Sequence, residues 1–215
     1  MLAICTLTFV SACSDTQSGG GSAAGSAPAA LTAKDLQLAS LSRLDLPSTY
    51  ELRGEGRALE WAREPAKADV PDCQPMADIF STSPQVARRA RTGQEMYDFG
   101  GGRADWYHVY LDAYGSEKEA HEVLETLRSA VDKCSRFNIV GDWELGLVSK
   151  VLAPAVKDES MAFRCGRWAF TVARTGTVLA VFVEQDTSER GAPGEVSPTL
   201  VKAQLSKLRE AIAQR

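Results

Sequence analysis

Hydrophobic positions along this chain follow two periods, and each period predicts a kind of element. Behind the capping box Ser116-Glu117-Lys118-Glu119, the residues Ala120, Val123, Leu124, Leu127, Ala130, Val131 and Cys134 recur at the helical repeat, which predicts an amphipathic helix ending at the cysteine. A second stripe, Leu200, Val201, Leu205, Leu208 and Ile212, follows Ser197 as N-cap and Pro198 at the first helical position. A shorter helix opens at Thr32-Ala33-Lys34-Asp35, carries Leu36, Leu38, Leu41 and Leu44, and stops before Pro47. The period then changes to two. Trp106 to Ala113 places Tyr107, Val109, Leu111 and Ala113 on one face and Trp106, His108, Tyr110 and Asp112 on the other. Met161 to Arg174 and Thr177 to Gln185 read as a hairpin turning at Thr175-Gly176. Weaker alternation marks Tyr50 to Arg53, Glu60 to Arg63, Val86 to Phe99 and Asn138 to Val151, while Pro75 to Phe80 fits a short helix. Helix, strands, helix, several strands, helix predicts an α+β fold: a twisted antiparallel sheet with helices packed on one face.

The amino-terminal pattern is of another kind. Leu2 to Val10 is apolar but too short to cross a bilayer, since a spanning helix takes roughly 20 apolar residues. It ends in Val10-Ser11-Ala12-Cys13, which resembles the lipobox of bacterial lipoproteins, so residues 1–12 are expected to be a signal peptide and Cys13 the site of lipid attachment. No Lys or Arg precedes the apolar run, so its positive flank is either the amino terminus alone or lies upstream of Met1. The Gly/Ser/Ala-rich stretch that follows cannot bury enough apolar surface to offset its ordering entropy and reads as a tether over residues 13–31, leaving 32–215 as the domain.

Charge and composition narrow the function. Among 215 residues, 24 Lys and Arg stand against 28 Asp and Glu, a net charge of −4 that gives no positive field for a phosphodiester backbone, so no nucleic-acid partner is expected. Only His108 and His121 are available as histidines, which limits metal sites and histidine catalysis. With Cys5 in the signal segment and Cys13 acylated, Cys73, Cys134 and Cys165 remain, an odd number for a compartment where thiols pair. Cys73 sits in the turn-rich Pro71-Asp72-Cys73-Gln74-Pro75 and Cys134 ends the long helix, so these two are expected to form the single disulfide, with Cys165 a small core residue on a strand. A zinc site from the three cysteines and a histidine lacks the usual C-x-x-C spacing, and no metal or cofactor is expected.

Candidate chemistry centres on an aromatic group. Trp106, His108, Tyr110 and Trp168 are the expected ligand-binding side chains, as aromatic walls around a group that titrates near neutrality; a packed histidine is the plainer alternative. Trp61 and Trp143 are further candidates for a cleft wall. A secreted hydrolase or transferase would need His108 beside a carboxylate such as Asp112 or Asp158. Asp158 and Glu159 are adjacent, so on a strand they point to opposite faces and make a poor carboxylate pair. Phe99 to Arg103 reads as a glycine hairpin loop, and Arg88, Arg89 and Arg91 as a solvated edge that discourages sheet association. His121, off the apolar stripe, reads as solvated. No G-x-S-x-G, H-E-x-x-H or G-x-x-x-x-G-K motif occurs.

Together, Leu31-Thr32-Ala33-Lys34-Asp35-Leu36, Pro71-Asp72-Cys73-Gln74-Pro75-Met76, the strand and helix ending at Cys134, Lys157-Asp158-Glu159-Ser160, Phe170 to Phe182 and the terminal helix resemble the sensor-domain lipoproteins of actinobacteria, a family related to the extracellular domain of the receptor kinase PknH. The resemblance implies an α+β domain with disulfide-held helices and a cleft for an unidentified ligand. Two departures limit it. These 215 residues hold no kinase domain or span-length apolar run, so autophosphorylation is not carried over, and three available cysteines allow one bridge where the kinase sensor has two. The expected function is a membrane-anchored, extracytoplasmic, non-catalytic module that binds a small molecule or an envelope protein, against the alternatives of the His108 hydrolase and of an envelope assembly factor acting through protein contacts.

Overall fold

A computed structural model describes residues 31–55, 65–100, 105–141, 143–185 and 195–215. Cys13, the tether, the expected strand at 60–63 with Trp61, and the side chain of Trp143 lie outside the described residues. Among the described residues, four α-helices, α1 (Ala33–Ala39), α2 (Gln74–Ala77), α3 (Glu117–Lys133) and α4 (Pro198–Ala213), accompany eight strands. These are β1 (Tyr50–Glu55), β2 (Ala90–Asp98), β3 (Asp105–Ala113), β4 (Arg136–Ile139), β5 (Trp143–Val151), β6 (Glu159–Cys165), β7 (Trp168–Thr175) and β8 (Val178–Gln185). They form one sheet in the order β1-β2-β3-β8-β7-β6-β5-β4, antiparallel at every pairing.

Local chemistry starts the helices as the sequence suggests, with two adjustments. The Thr32 hydroxyl accepts the Asp35 amide and Asp35 accepts from Thr32 N–H at 2.8 Å, a complete capping box. Ser116 accepts the Glu119 amide at 3.1 Å, but Glu119 turns its carboxylate to the Gly115 amide, one residue before the cap. Ser197 makes no side-chain cap hydrogen bond, and Pro198 at the first position starts α4. The stretch from Met161 to Arg174 is two strands rather than one, because Gly166 turns at φ +56°, where a Cβ would stand 1.8 Å from Leu145 O. The β7–β8 hairpin turns at Gly176 as expected.

The sheet is covered on both faces, which corrects the expectation of helices on one. Along β8, Leu179, Val181 and Val183 join the hydrophobic cluster of α2 and α3, while Val178, Ala180 and Phe182 join that of α1 and α4. Alternation alone could not reveal this, since a central strand buried on both sides carries apolar residues at every position. Cys73 and Cys134 are bonded with Cα atoms 5.7 Å apart, tying the start of α2 to the end of α3. Cys165 is a free, fully buried thiol at the end of β6. The β4 edge is occupied by Ala68 and Asp69: Ala68 bridges to Ile139, and Asp69 N–H donates to Asn138 O at 3.0 Å.

Candidate functional site

Trp106, His108, Tyr110 and Trp168 do share a face. The register pairs Trp106 and Trp168 each with Gln185, so the two indoles flank β8, and His108 and Tyr110 continue the row along β3. Tyr97 stacks on Trp106 at 5.8 Å, Trp106 lies 4.8 Å from His108, and His108 stacks on Tyr110 at 6.3 Å. The row sinks as it proceeds. Trp106 is half-buried, Tyr110 and Trp168 are buried, and His108 is 2% exposed. Burial pushes the His108 pKa down to about 3, so the ring is neutral at physiological pH. Neither carboxylate considered as its partner is at hand. Asp112 is engaged by arginines, and Asp158 accepts from Thr175 Oγ1 at 3.0 Å and pairs with Arg209 of α4. Glu159 points to the other face, where His121 of α3, half-exposed rather than free, and Arg174 share its Oε2 and hold its carboxyl down at about 2.

The arginines are where the structure departs furthest from expectation. Arg88 and Arg91 do not line a solvated edge. Their side chains are 8% and 12% exposed, and both guanidinium groups flank the single carboxylate of Asp112, itself 2% exposed, with Nε–O distances of 2.8 and 3.1 Å. The remaining nitrogens reach backbone. Arg88 donates to Asp78 O at 2.6 Å and Ser81 O at 2.9 Å, and Arg91 donates to Ile79 O at 2.6 Å. Arg91 also lies 4.2 Å above the Tyr110 ring, which joins the charged cluster to the aromatic row. Burial works against the charge on both cations; at Arg88 the attraction of Asp112 and Tyr114 more than offsets it, whereas Arg91 is left with a lowered pKa by burial, with Arg88 nearby adding repulsion. The i, i+3 spacing of Arg88 and Arg91 opposite Asp112 was the available signal, but without the β2–β3 register no sequence rule brings them together.

These contacts pin a strap, residues 81–89, that runs from α2 to β2. It has little backbone bonding of its own. Ser83 N–H donates to Ser81 Oγ, Gln85 N–H to Asp78 Oδ2, and Arg89 N–H to Ala113 O. Inside the strap lies an apolar crevice of about 50 Å³ between Pro84 and Val86, Ile79 in the turn after α2, Leu127 of α3 and Leu179 and Val181 of the sheet, closed at its polar end by Arg88, Asp112 and Tyr114. Outside the strap is an open bowl of about 640 Å³. Among the described residues no group of histidine, cysteine and carboxylate side chains is arranged to hold a metal ion, and no helix is long and apolar enough to cross a membrane.

No family model matches the sequence, and no curated protein matches it. Among solved structures, the extracellular domain of PknH from Mycobacterium tuberculosis superposes with a TM-score of 0.55 at 11% identity, covering 86% of this chain and 98% of that one. The fold is PknH-like. An uncharacterized protein of Mycobacterium smegmatis, a Rv0999 ortholog, aligns with a TM-score of 0.41 at 16% identity over 86% of this chain and 97% of that one. The likeness to PknH bears out the fold implied by the weak motifs from Leu31 to the terminal helix.

Proposed function

We propose that this chain is an extracytoplasmic binding or sensing module, anchored by lipid at Cys13, whose ligand enters the crevice beneath the strap. The observation that carries the reading is the crevice itself. Its walls are apolar, its polar end holds charged and phenolic groups with shifted pKa values, and one wall is a strap held by side chains rather than by a ladder. The space as it stands admits only a few atoms, so a larger apolar group enters as Pro84–Val86 lifts, and that displacement is a change a partner can read. The aromatic row backs this site: Tyr110 supports Arg91, and Trp106 is the half-buried member nearest solvent.

The PknH neighbour is an extracellular domain, which supports an extracytoplasmic place for this one, and the Cys73–Cys134 disulfide agrees with it. A non-catalytic role is supported by the neutral, buried His108 and the engagement of Asp112 and Asp158 elsewhere. Native mass spectrometry of the chain from its secreting host, followed by extraction, tests the reading. A reproducible small molecule whose retention falls in Val86→Trp, which fills the strap side of the crevice, is expected; an empty mass, or retention unchanged by that variant, overturns it. Loss of fatty-acid labelling in Cys13→Ala tests the anchor.

A further inference from the structure

The two sides of the sheet differ in what they show to solvent. Among the described residues four leucines are exposed by 70% or more, Leu38, Leu44, Leu147 and Leu152, and all four lie on the α1/α4 side. Leu38 is on α1, and Leu44 is in the turn Arg43–Asp45, which Asp45 ties to Lys207 of α4 at 2.6 Å. Leu147 precedes Val148 on β5, and Val148 packs into the α2/α3 cluster, so the pleat turns Leu147 the other way. Leu152, with Val196 and Pro198 at the start of α4, walls a hollow on the same side. Charge divides in the same sense. α3 carries Glu117, Glu119, Glu122, Glu125 and Asp132 against Lys118, Arg128 and Lys133, whereas α4 carries Lys202, Lys207 and Arg209 against Glu210. Asp35, Asp45 and Asp158 are paired with Arg215, Lys207 and Arg209, while Lys34, Lys157 and Lys202 are exposed and form no ion pair among the described residues. The segment that precedes residue 31, with the expected lipid attachment at Cys13, joins the domain at α1, on this side.

We infer that the α1/α4 side is a docking surface for a bilayer bearing anionic headgroups, with the exposed leucines entering the headgroup boundary and Lys34, Lys157 and Lys202 lying against the lipid charge. A single exposed leucine is ordinary, but four on one side of one sheet, beside cations that no carboxylate engages, is the composition of an interfacial surface. An anionic surface attracts this side and repels the side of α3, so on a chain of net charge −4 the charge division sets orientation as well as adhesion. The strap and its crevice then face away from the membrane, open to ligand and partner. That last consequence rests on the crevice reading above; the docking surface does not, and it needs no acyl group at Cys13.

The test uses the full chain carrying Cys13→Ala, so that no acyl group holds it, sedimented with vesicles of phosphatidylcholine alone and of phosphatidylcholine and phosphatidylglycerol in equal parts. Binding about tenfold tighter to the anionic vesicles is expected, and it should weaken as salt is raised. The pair Lys157→Glu and Lys202→Glu, and separately the pair Leu44→Ser and Leu152→Ser, should each weaken it about tenfold, all four being exposed positions. The same charge reversal on the opposite side, Lys118→Glu with Lys133→Glu, should leave binding within about twofold. Equal binding to both kinds of vesicle, or binding untouched by the first two pairs, assigns adhesion to the apolar run Leu2–Val10 and overturns the docking surface. Equal weakening by the α3 pair overturns it too, because net charge and not this side would then be at work. Absence of vesicle binding overturns it; a dimer that dissociates in the leucine pair would then give the surface to a second copy of the chain. Each of these outcomes leaves ligand retention in the crevice to be read independently.

Discussion

On the α1/α4 side of the sheet, Leu36, Leu200, Val201, Leu205 and Leu208 meet Val109, Leu111, Ala180 and Phe182, and buried amides there secure loops: Gln94 exchanges hydrogen bonds with Leu41 N and O, and Gln204 donates to Ala39 O. On the α2/α3 side the same strands carry His108, Arg91 and Asp112, the covering element is a disulfide-stapled helix pair, and both cavities at the strap lie there. The first face is mostly apolar and buries the Glu184 carboxylate within it, whereas the second holds the Asp112 carboxylate between two guanidinium groups beside a strap with little backbone bonding. Stability and site are thus divided between opposite sides of one sheet, and perturbing each side should give a different signature.

The largest effect is expected at Asp112. Asp112→Asn leaves two buried guanidinium groups without their counter-charge and should cost about 3–5 kcal/mol, read from urea unfolding; converting Arg88, Arg91 and Asp112 together to Met, Met and Leu should recover much of it. A loss under about 1 kcal/mol for Asp112→Asn would break the contrast between the faces. Next, Cys73→Ser and Cys134→Ser should each lose about 4 kcal/mol on the chain-entropy account of a bridge across 61 positions, with equal falls in melting temperature. Leu205→Ala should cost about 3 kcal/mol through its cavity, without moving the amide signals of the strap. Movement there would show that the faces are coupled.

The pH response is gradual rather than abrupt. His108 has a folded pKa of about 3 against an ordinary 6.5, so the folded chain binds fewer protons there than the unfolded one. Its contribution is complete above pH 6.5 and is lost as pH falls towards 3, at up to about 1.4 kcal/mol per unit. His108→Gln should flatten the upper part of that slope. Least of all, Glu159→Gln should cost under about 1 kcal/mol, because its partners are part-exposed and solvent screens them.

Elements with a local cause were legible. Thr32 with Asp35, Ser116 with Glu119 and Pro198 mark helix starts through contacts within a turn, and β3 alternates because its own pleat does. The pairing of Cys73 with Cys134 followed from their places at a turn and a helix end. The charged cluster was not legible. Arg88 and Arg91 look like surface cations until the β2–β3 register sets Arg91 opposite Asp112 and the chain from α2 brings three backbone carbonyls to meet them.

The sequence by itself determined the capped helix starts, β3, the β7–β8 hairpin, the sheet's antiparallel character and the disulfide, because each depends on neighbours in the chain. Only the tertiary structure decided that both faces are covered, that the aromatic row is largely buried, and that a strap held by two arginines separates an apolar crevice from an open bowl. Those outcomes hang on which strands pair and in what register, and a shift of one residue would have sent the same side chains to the opposite face.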